Sequence, residues 1–241
     1  MDCVFHPSQM LPVHRDGRTV VVFDVLRATT TMTAALQCGV KSIRIFGDIE
    51  SAKIAFNNAT DLIGKKLLCG EVNCLPPMGF DLGNSPHQFD KNKHVGLTLF
   101  LSTTNGTKAI LAATGAKNIL VGALVNATAI AKAAVATQCH ITLLCAGTNG
   151  DVSMEDLLGA GAVIAGISRL ALKVKLNEQA RIAGKLFNAY QDHPLEILED
   201  SAGGKNLAAV GLSDDIKFCA NLNSHDIVGV VKQNPSRVEV G

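Results

Sequence analysis

Leu143-Leu144-Cys145-Ala146-Gly147-Thr148-Asn149-Gly150-Asp151-Val152-Ser153-Met154-Glu155-Asp156 is the stretch on which the fold turns. The apolar run that feeds it, His140 to Cys145, reads as a buried strand. A polar, glycine-bearing turn follows, and a long helical pattern starts at Ser153. Thr104-Asn105-Gly106 repeats the Thr-Asn-Gly of 148–150, again between an apolar run (Val95 to Leu101) and a helix. Such strand–turn–helix junctions place backbone N–H groups and short polar side chains at the carboxyl edge of a parallel sheet. Open α/β folds bind ligands there, and helix N-termini attract anions. The stretch is therefore expected to form half of an anion site.

The same alternation runs outward in both directions. Met1 to Gly17 is irregular; Thr19-Val20-Val21-Val22-Phe23 is a continuous run of the kind found in strands covered on both faces. A helix follows to about Cys38, closed by Gly39. Further strands are expected over Val40–Phe46, Lys66–Cys69, Val95–Leu101 and Asn118–Val121, with helices over Ile49–Ala59, to Thr114 and from Asn126 to Thr137. This pattern predicts an α/β fold with a mainly parallel sheet and helices on both faces. From Asn177 the pattern turns helical (178–191, 194–199, 204–210 and 214–220) and ends in a strand at Asp226–Val231 or a β-pair with Arg237–Val240. Nothing linker-like intervenes, so 1–241 reads as one domain: a sheet core over 1–170 and a mostly helical C-terminal part over 171–241 covering one end.

Composition narrows the function. The chain is 47% hydrophobic and 18% charged with net charge +1, and it has no Trp and one Tyr. There is no basic patch for nucleic acid or an anionic membrane and little to stack on bases. No charge-free run reaches the ~18 apolar residues of a membrane span. The apolar, Ala/Gly-rich helix at 159–170 reads as a core helix, packing inside or against a second copy in a homo-oligomer. Seven scattered cysteines without a CxxC pair read as reduced thiols in the cytoplasm.

Polar density concentrates at four strand ends. Asp24 is placed to hold a metal or act as a nucleophile, and Arg27 to grip an oxyanion; a helix cap and a surface Arg explain the pair equally well. Ser102, Thr103, Thr104, Asn105, Gly106 and Thr107 exceed what one helix cap needs. Asn149, Asp151, Glu155 and Asp156 form the opening cluster, part of which capping explains. Glu71 and Asp81 stand in Gly70–Pro86, a Gly/Pro-rich loop long enough to be functional. Carboxylates, hydroxyls and amides without a His cluster suit a hard, oxygen-ligated cation, and magnesium fits best. GxGxxG, the phosphate-binding GxxxxGK[ST], HExxH and the cysteine-phosphatase spacing are all absent.

Asp24-Val-Leu-Arg27-Ala-Thr-Thr-Thr, Gly79-Phe-Asp81-Leu-Gly83-Asn84-Ser85-Pro86, Ser102-Thr-Thr-Asn105-Gly106-Thr and Cys145-Ala-Gly147-Thr-Asn149-Gly150-Asp151 together resemble the motifs of the 2-phosphosulfolactate phosphatase (ComB) family. They run in order over about residues 19 to 165, with Asp214-Asp215 and Asp226 resembling its C-terminal part. The resemblance implies a three-layer α/β/α fold and a magnesium-dependent acid phosphatase. Its substrate would be (2R)-2-phospho-3-sulfolactate, hydrolysed to 3-sulfolactate in coenzyme M biosynthesis. Asp24, Arg27 and Glu71 are the expected catalytic residues. Asp24 and Glu71, with Asp81 or Asp151, are expected to hold Mg2+. Ser102 to Gly106 and Thr148, Asn149 and Gly150 are expected to cradle the small anionic phosphorylated substrate. Two other readings stand beside this: a phosphatase for another small 2-phospho-acid, and a non-catalytic sensor of an anionic metabolite.

Overall fold

In the computed structural model, residues 1–170 and 173–241 are described. The expected division between core and C-terminal part, at 170/171, adjoins Ala171 and Leu172, which lie outside the described residues. In chain order the elements are β1 (Asp2–Val4), β2 (Thr19–Phe23), α1 (Ala28–Gln37), β3 (Ser42–Phe46), α2 (Ile49–Asn58), β4 (Lys66–Gly70), α3 (Lys91–His94) and β5 (Thr98–Ser102). There follow α4 (Gly106–Ala112), β6 (Asn118–Gly122), α5 (Ala127–Ala136), β7 (Ile141–Cys145) and α6 (Met154–Arg169). The last part holds α7 (Glu178–Tyr190), α8 (Pro194–Asp200), α9 (Ala202–Ala209), α10 (Ser213–Cys219), β8 (Gly229–Lys232) and β9 (Arg237–Val240).

The strands form one sheet in the order β1-β7-β2-β6-β8-β9-β3-β5-β4. β1, β7, β2 and β6 pair in parallel, and so do β3, β5 and β4. All five residues of β2 are buried, as its unbroken apolar run requires. Val20 and Val22 pack with Met32 of α1, Ile110 of α4 and Leu99 and Leu101 of β5. Val21 and Phe23, on the opposite face, pack with residues of α5, α6 and α7. On that same side Phe100 of β5 packs with Ala52 of α2. Helices thus cover both faces, giving three α/β/α layers.

The C-terminal β-pair, one of the two expected endings, forms within the sheet: β8 and β9 insert between β6 and β3, β8 antiparallel to β6, β9 antiparallel to β3, and each antiparallel to the other. Three antiparallel pairings in succession reverse one parallel block relative to the other. Strand twist of about 20–25° per pairing, accumulated over the pairings from β2 to β5, comes to on the order of 100° and turns the carboxyl ends of the two blocks toward each other. The N-terminus differs from expectation, since Asp2–Val4 pairs with Thr142–Leu144 rather than remaining irregular. The strand expected from Val95 starts at Thr98, because Lys91–His94 forms a helical turn first.

Two further features carry the site. α6 packs inside the chain because its glycines admit close neighbours: a Cβ at Gly161 would lie 2.2 Å from the Ala183 carbonyl oxygen, and one at Gly166 would lie 2.8 Å from Ala131 Cβ. The long loop folds back on the edge strand β4, where Asp81 Oδ2 accepts from Leu68 N at 2.7 Å and Asp81 N donates to Leu68 O at 2.8 Å. Unpaired edge groups are thereby satisfied by the loop itself.

Because the hairpin joins the two parallel blocks, deleting residues 227–241 is expected to abolish cooperative unfolding. Thermal melts followed by far-UV circular dichroism test this, and a sharp transition in the truncated chain would contradict the central placement of the hairpin.

Candidate active site

The start of α1 is organised around Asp24, the first residue after β2. Its Oδ1 accepts from Ala28 N at 3.1 Å, its carbonyl accepts from Thr29 N and Thr29 Oγ1, and its own N–H donates to Thr29 Oγ1. The threonine run is thereby explained structurally: Thr30 donates to Val25 O and Thr31 to Asn84 O, so these hydroxyls serve backbone groups. Asp24 Oδ2 accepts no hydrogen bond among the described residues and faces the start of α4. A Cβ at Gly106 would lie 2.6 Å from that oxygen and 2.5 Å from Ala28 Cβ. Gly106 is therefore needed for close approach of two helix starts.

Arg27 is already engaged. Nη1 donates to Asp215 Oδ2 at 2.6 Å and Nη2 to Cys74 O at 2.6 Å, and both partners of the ion pair are buried. Asp215 also accepts from Ser85 Oγ at 2.6 Å, so α10 and the loop are locked to Arg27 by one carboxylate. Arg27 does not present a free fork as expected; its remaining N–H groups are what it has to offer a ligand. Glu71 ties two loops together, with Oε1 accepting from Thr104 N at 2.7 Å and Oε2 from Cys74 N at 3.0 Å.

The repeated Thr-Asn-Gly does not mark a repeated structure. Thr104-Asn105-Gly106 enters α4, where Thr103 Oγ1 accepts from Thr107 N and Thr107 Oγ1 accepts from Thr103 N. Thr148 and Asp151 instead exchange two backbone hydrogen bonds at 3.0 Å across Asn149 and Gly150, whose φ values are +54° and +90°. Positive φ at both central residues is the two-residue hairpin turn that favours Asn-Gly.

A cavity of about 340 Å³ opens where these ends converge. Asp24, Arg27, Glu71, Thr104, Asn105, Thr148 and Asn149 line it. Ser102 and Thr103 are buried behind it, and Gly106 and Gly150 are not part of its wall. Asp81 and Asp151 are also outside: Asp81 anchors the edge strand, and the backbone of Asp151 closes the exposed turn. Neither lines the cavity with Asp24. Asn73 and Asn84, which belong to the polar content of the long loop, line the cavity as well; the sequence reading missed Cys74 and the wall contributed by α9, with Gly203, Asn206 and Leu207.

Glu155 and Asp156 looked like helix-capping residues, and Ser153 Oγ does accept from Asp156 N at 3.2 Å. Both carboxylates are nevertheless buried. Asp156 accepts from Val25 N at 2.8 Å and Gly147 N at 3.0 Å, tying the end of β2 to that of β7. Glu155 Oε1 lies 3.4 Å from Thr148 Oγ1, and its Oε2 has no partner. Burial pushes Asp24 up to about 7; Ala28 N–H opposes the shift, Glu71 and Glu155 add to it, and Arg27 offsets part of it. Asp156 is pushed up for the same reason, by burial and by Asp24 and Glu155.

This donor set suits magnesium in kind. Glu155 Oε2 and Asn84 Oδ1 are buried oxygens without a hydrogen-bond partner. Asn84 lines the cavity with Asp24, and Glu155 acts on Asp24 with like charge. No group of three or more His, Cys, Asp and Glu side chains able to hold a metal occurs among the described residues.

Comparison with known proteins leads to the same place. The family model described as 2-phosphosulpholactate phosphatase matches residues 5–234. A protein of Carboxydothermus hydrogenoformans named "Probable 2-phosphosulfolactate phosphatase" is 37% identical over 95% of this chain and 91% of its own length. One of Thermus thermophilus with the same name is 39% identical over 88% of this chain and 87% of its own. The chain belongs to the 2-phosphosulfolactate phosphatase family, a family of phosphoric monoester hydrolases.

Two consequences of the geometry are measurable. Asp24 holds its proton to about 7 in the native state, against 3.8 for a solvated carboxyl. Between those values the native chain binds more protons than the unfolded one, so stability falls as pH rises. Asp24→Asn is expected to raise the metal-free melting temperature at pH 8 by at least about 3 °C, with the gain fading toward pH 4. An unchanged or lowered value at pH 8 contradicts the assigned electrostatics. Asp215→Ala leaves Arg27 buried without its counter-charge and is expected to cost about 3–5 kcal/mol in denaturant titrations.

Proposed function

We propose that this member of the family is a magnesium-dependent phosphatase that hydrolyses (2R)-2-phospho-3-sulfolactate to 3-sulfolactate and inorganic phosphate. We place it in the cytoplasm, on the route to coenzyme M. One observation carries the chemistry: Oδ2 of the buried Asp24 is left without a protein hydrogen bond at a cavity whose only lining cation among the described residues is Arg27. The names of the relatives support the substrate, and seven free cysteines fit a reducing compartment.

Asp24 and Glu71 would hold the magnesium, with Asn84 Oδ1 as a further oxygen donor. When bound, magnesium supplies charge that polarises the phosphoryl group and offsets the negative charge of the substrate. Arg27 contributes its uncommitted N–H groups to the phosphoryl oxygens, held in place by Asp215 and the Cys74 carbonyl. Asp24 Oδ1 stays on α1, which fixes the direction of Oδ2. Burial of the site keeps these interactions strong by excluding water. The bond broken joins phosphorus to the C2 oxygen, and the incoming oxygen comes from water, either directly or through Asp24 Oδ2 as a nucleophile.

Phosphate release from 2-phosphosulfolactate by the purified chain tests this reading. Turnover is expected with magnesium and its loss with EDTA. Asp24→Asn is expected to lower kcat by about 10²–10³-fold. Binding of the substrate without phosphate release would identify a sensor, and full activity of Asp24→Asn would remove Asp24 from the chemistry.

A further inference from the structure

Five asparagines, Asn73, Asn84, Asn105, Asn149 and Asn206, line the catalytic cavity. None of their side-chain amides makes a hydrogen bond to protein among the described residues, whereas Asn118, Asn126 and Asn177, away from the cavity, do. The lining cation, Arg27, is paired with Asp215. The cavity therefore offers a ligand mostly neutral amide donors, and a second anionic group on that ligand has to be read by hydrogen bonds rather than by a free charge.

α9 sets where that reading happens. Gly203, a buried residue of α9 at the cavity wall, marks the reacting end: a Cβ there would lie 2.2 Å from Glu155 Oε1, whose charge acts on Asp24. Asn206 follows three residues on, about 4.5 Å along the axis. It is the polar residue of a wall otherwise made by Leu207, Ala209 and Val210. About one helical turn separates Gly203 from that amide, and Leu207, Ala209 and Val210 line the cavity beside it.

The geometry points to Asn206 as a specificity-determining residue that binds the non-transferred oxyanion of a small phosphorylated acid. Leu207, Ala209 and Val210 limit the length of that acid. This rests on the phosphatase reading and deepens it. The amide of Asn206 donates to a sulfonate or carboxylate oxygen on the carbon next to the phosphate-bearing one, while Asp24 and Arg27 act at the phosphate. A substrate lacking that oxyanion leaves the amide idle, and a longer one meets the apolar end.

The test compares 2-phosphosulfolactate with 2-phospholactate, which has a methyl group in place of the sulfomethyl group. Asn206 is exposed on a helix, so Asn206→Ala is expected to fold normally. Wild type is expected to prefer the sulfonated substrate, and Asn206→Ala to raise its KM about ten- to a hundredfold. The KM for 2-phospholactate and both kcat values should change by less than about twofold. Asn206→Asp should raise the KM for the sulfonated substrate further, with partial recovery in high salt. An unchanged preference in Asn206→Ala, or equal losses on both substrates, would overturn the assignment. Wild type hydrolysing neither compound would instead remove the phosphatase reading on which the assignment rests.

Discussion

Taking a carboxylate out of water carries a penalty of several kcal/mol unless charge or hydrogen bonds compensate it, and Asp24 is only partly compensated. One oxygen caps α1 through Ala28 N, while Glu71 and Glu155 act on the group with like charge. Much of the surrounding structure follows from holding that group in place. Gly106 lets α4 come within contact of Oδ2, Asp156 ties the end of β2 to the turn after β7, and Asp215 keeps Arg27 nearby. A site that stores unfavourable charge in its resting state is one whose ligand has to bring or attract positive charge. The trade of stability for function is the usual one at catalytic centres.

The sheet makes this arrangement geometrically available. Asp24 follows a strand of one parallel block, whereas Glu71 and Thr104 follow strands of the other. Without the antiparallel hairpin between the blocks and the twist it transmits, those ends would lie apart. α9 and α10 then close the cavity from the C-terminal part, the first through Gly203 and Asn206 and the second through Asp215. The binding wall and the reacting end thus come from parts of the chain far apart in sequence.

This explains what was legible in the sequence and what was not. β2 was visible at its true limits because a run of β-branched residues covered on both faces leaves an unbroken apolar pattern. β1 was not, since three residues carry no period, and their pairing with β7 depends on a distant partner. The hairpin residues were visible as a pair, yet their place in the middle of the sheet is set by contacts with Leu120 and Ile43 that no local pattern encodes. Asp24, Arg27 and Glu71 stood out by polar density at strand ends. Asp81 and Asp151 stood out equally and do backbone work, because a loop carboxylate and a turn residue look alike in sequence whichever way they face. Glu155 stood in the Asn149–Asp156 cluster, but its role stayed open between site and cap, because an acidic residue in a first helical turn has an ordinary electrostatic reason to be there.

The account depends on the charge at Asp24 being answered by a cation. Anomalous diffraction from crystals of the protein grown with Mn2+ in place of Mg2+ tests that most directly. The predicted result is a peak in coordination distance of Asp24 Oδ2, inside the cavity lined by Arg27 and Glu71. A peak at Asp81 or Asp151 instead, or no peak at Asp24 at metal concentrations that support turnover, would contradict it.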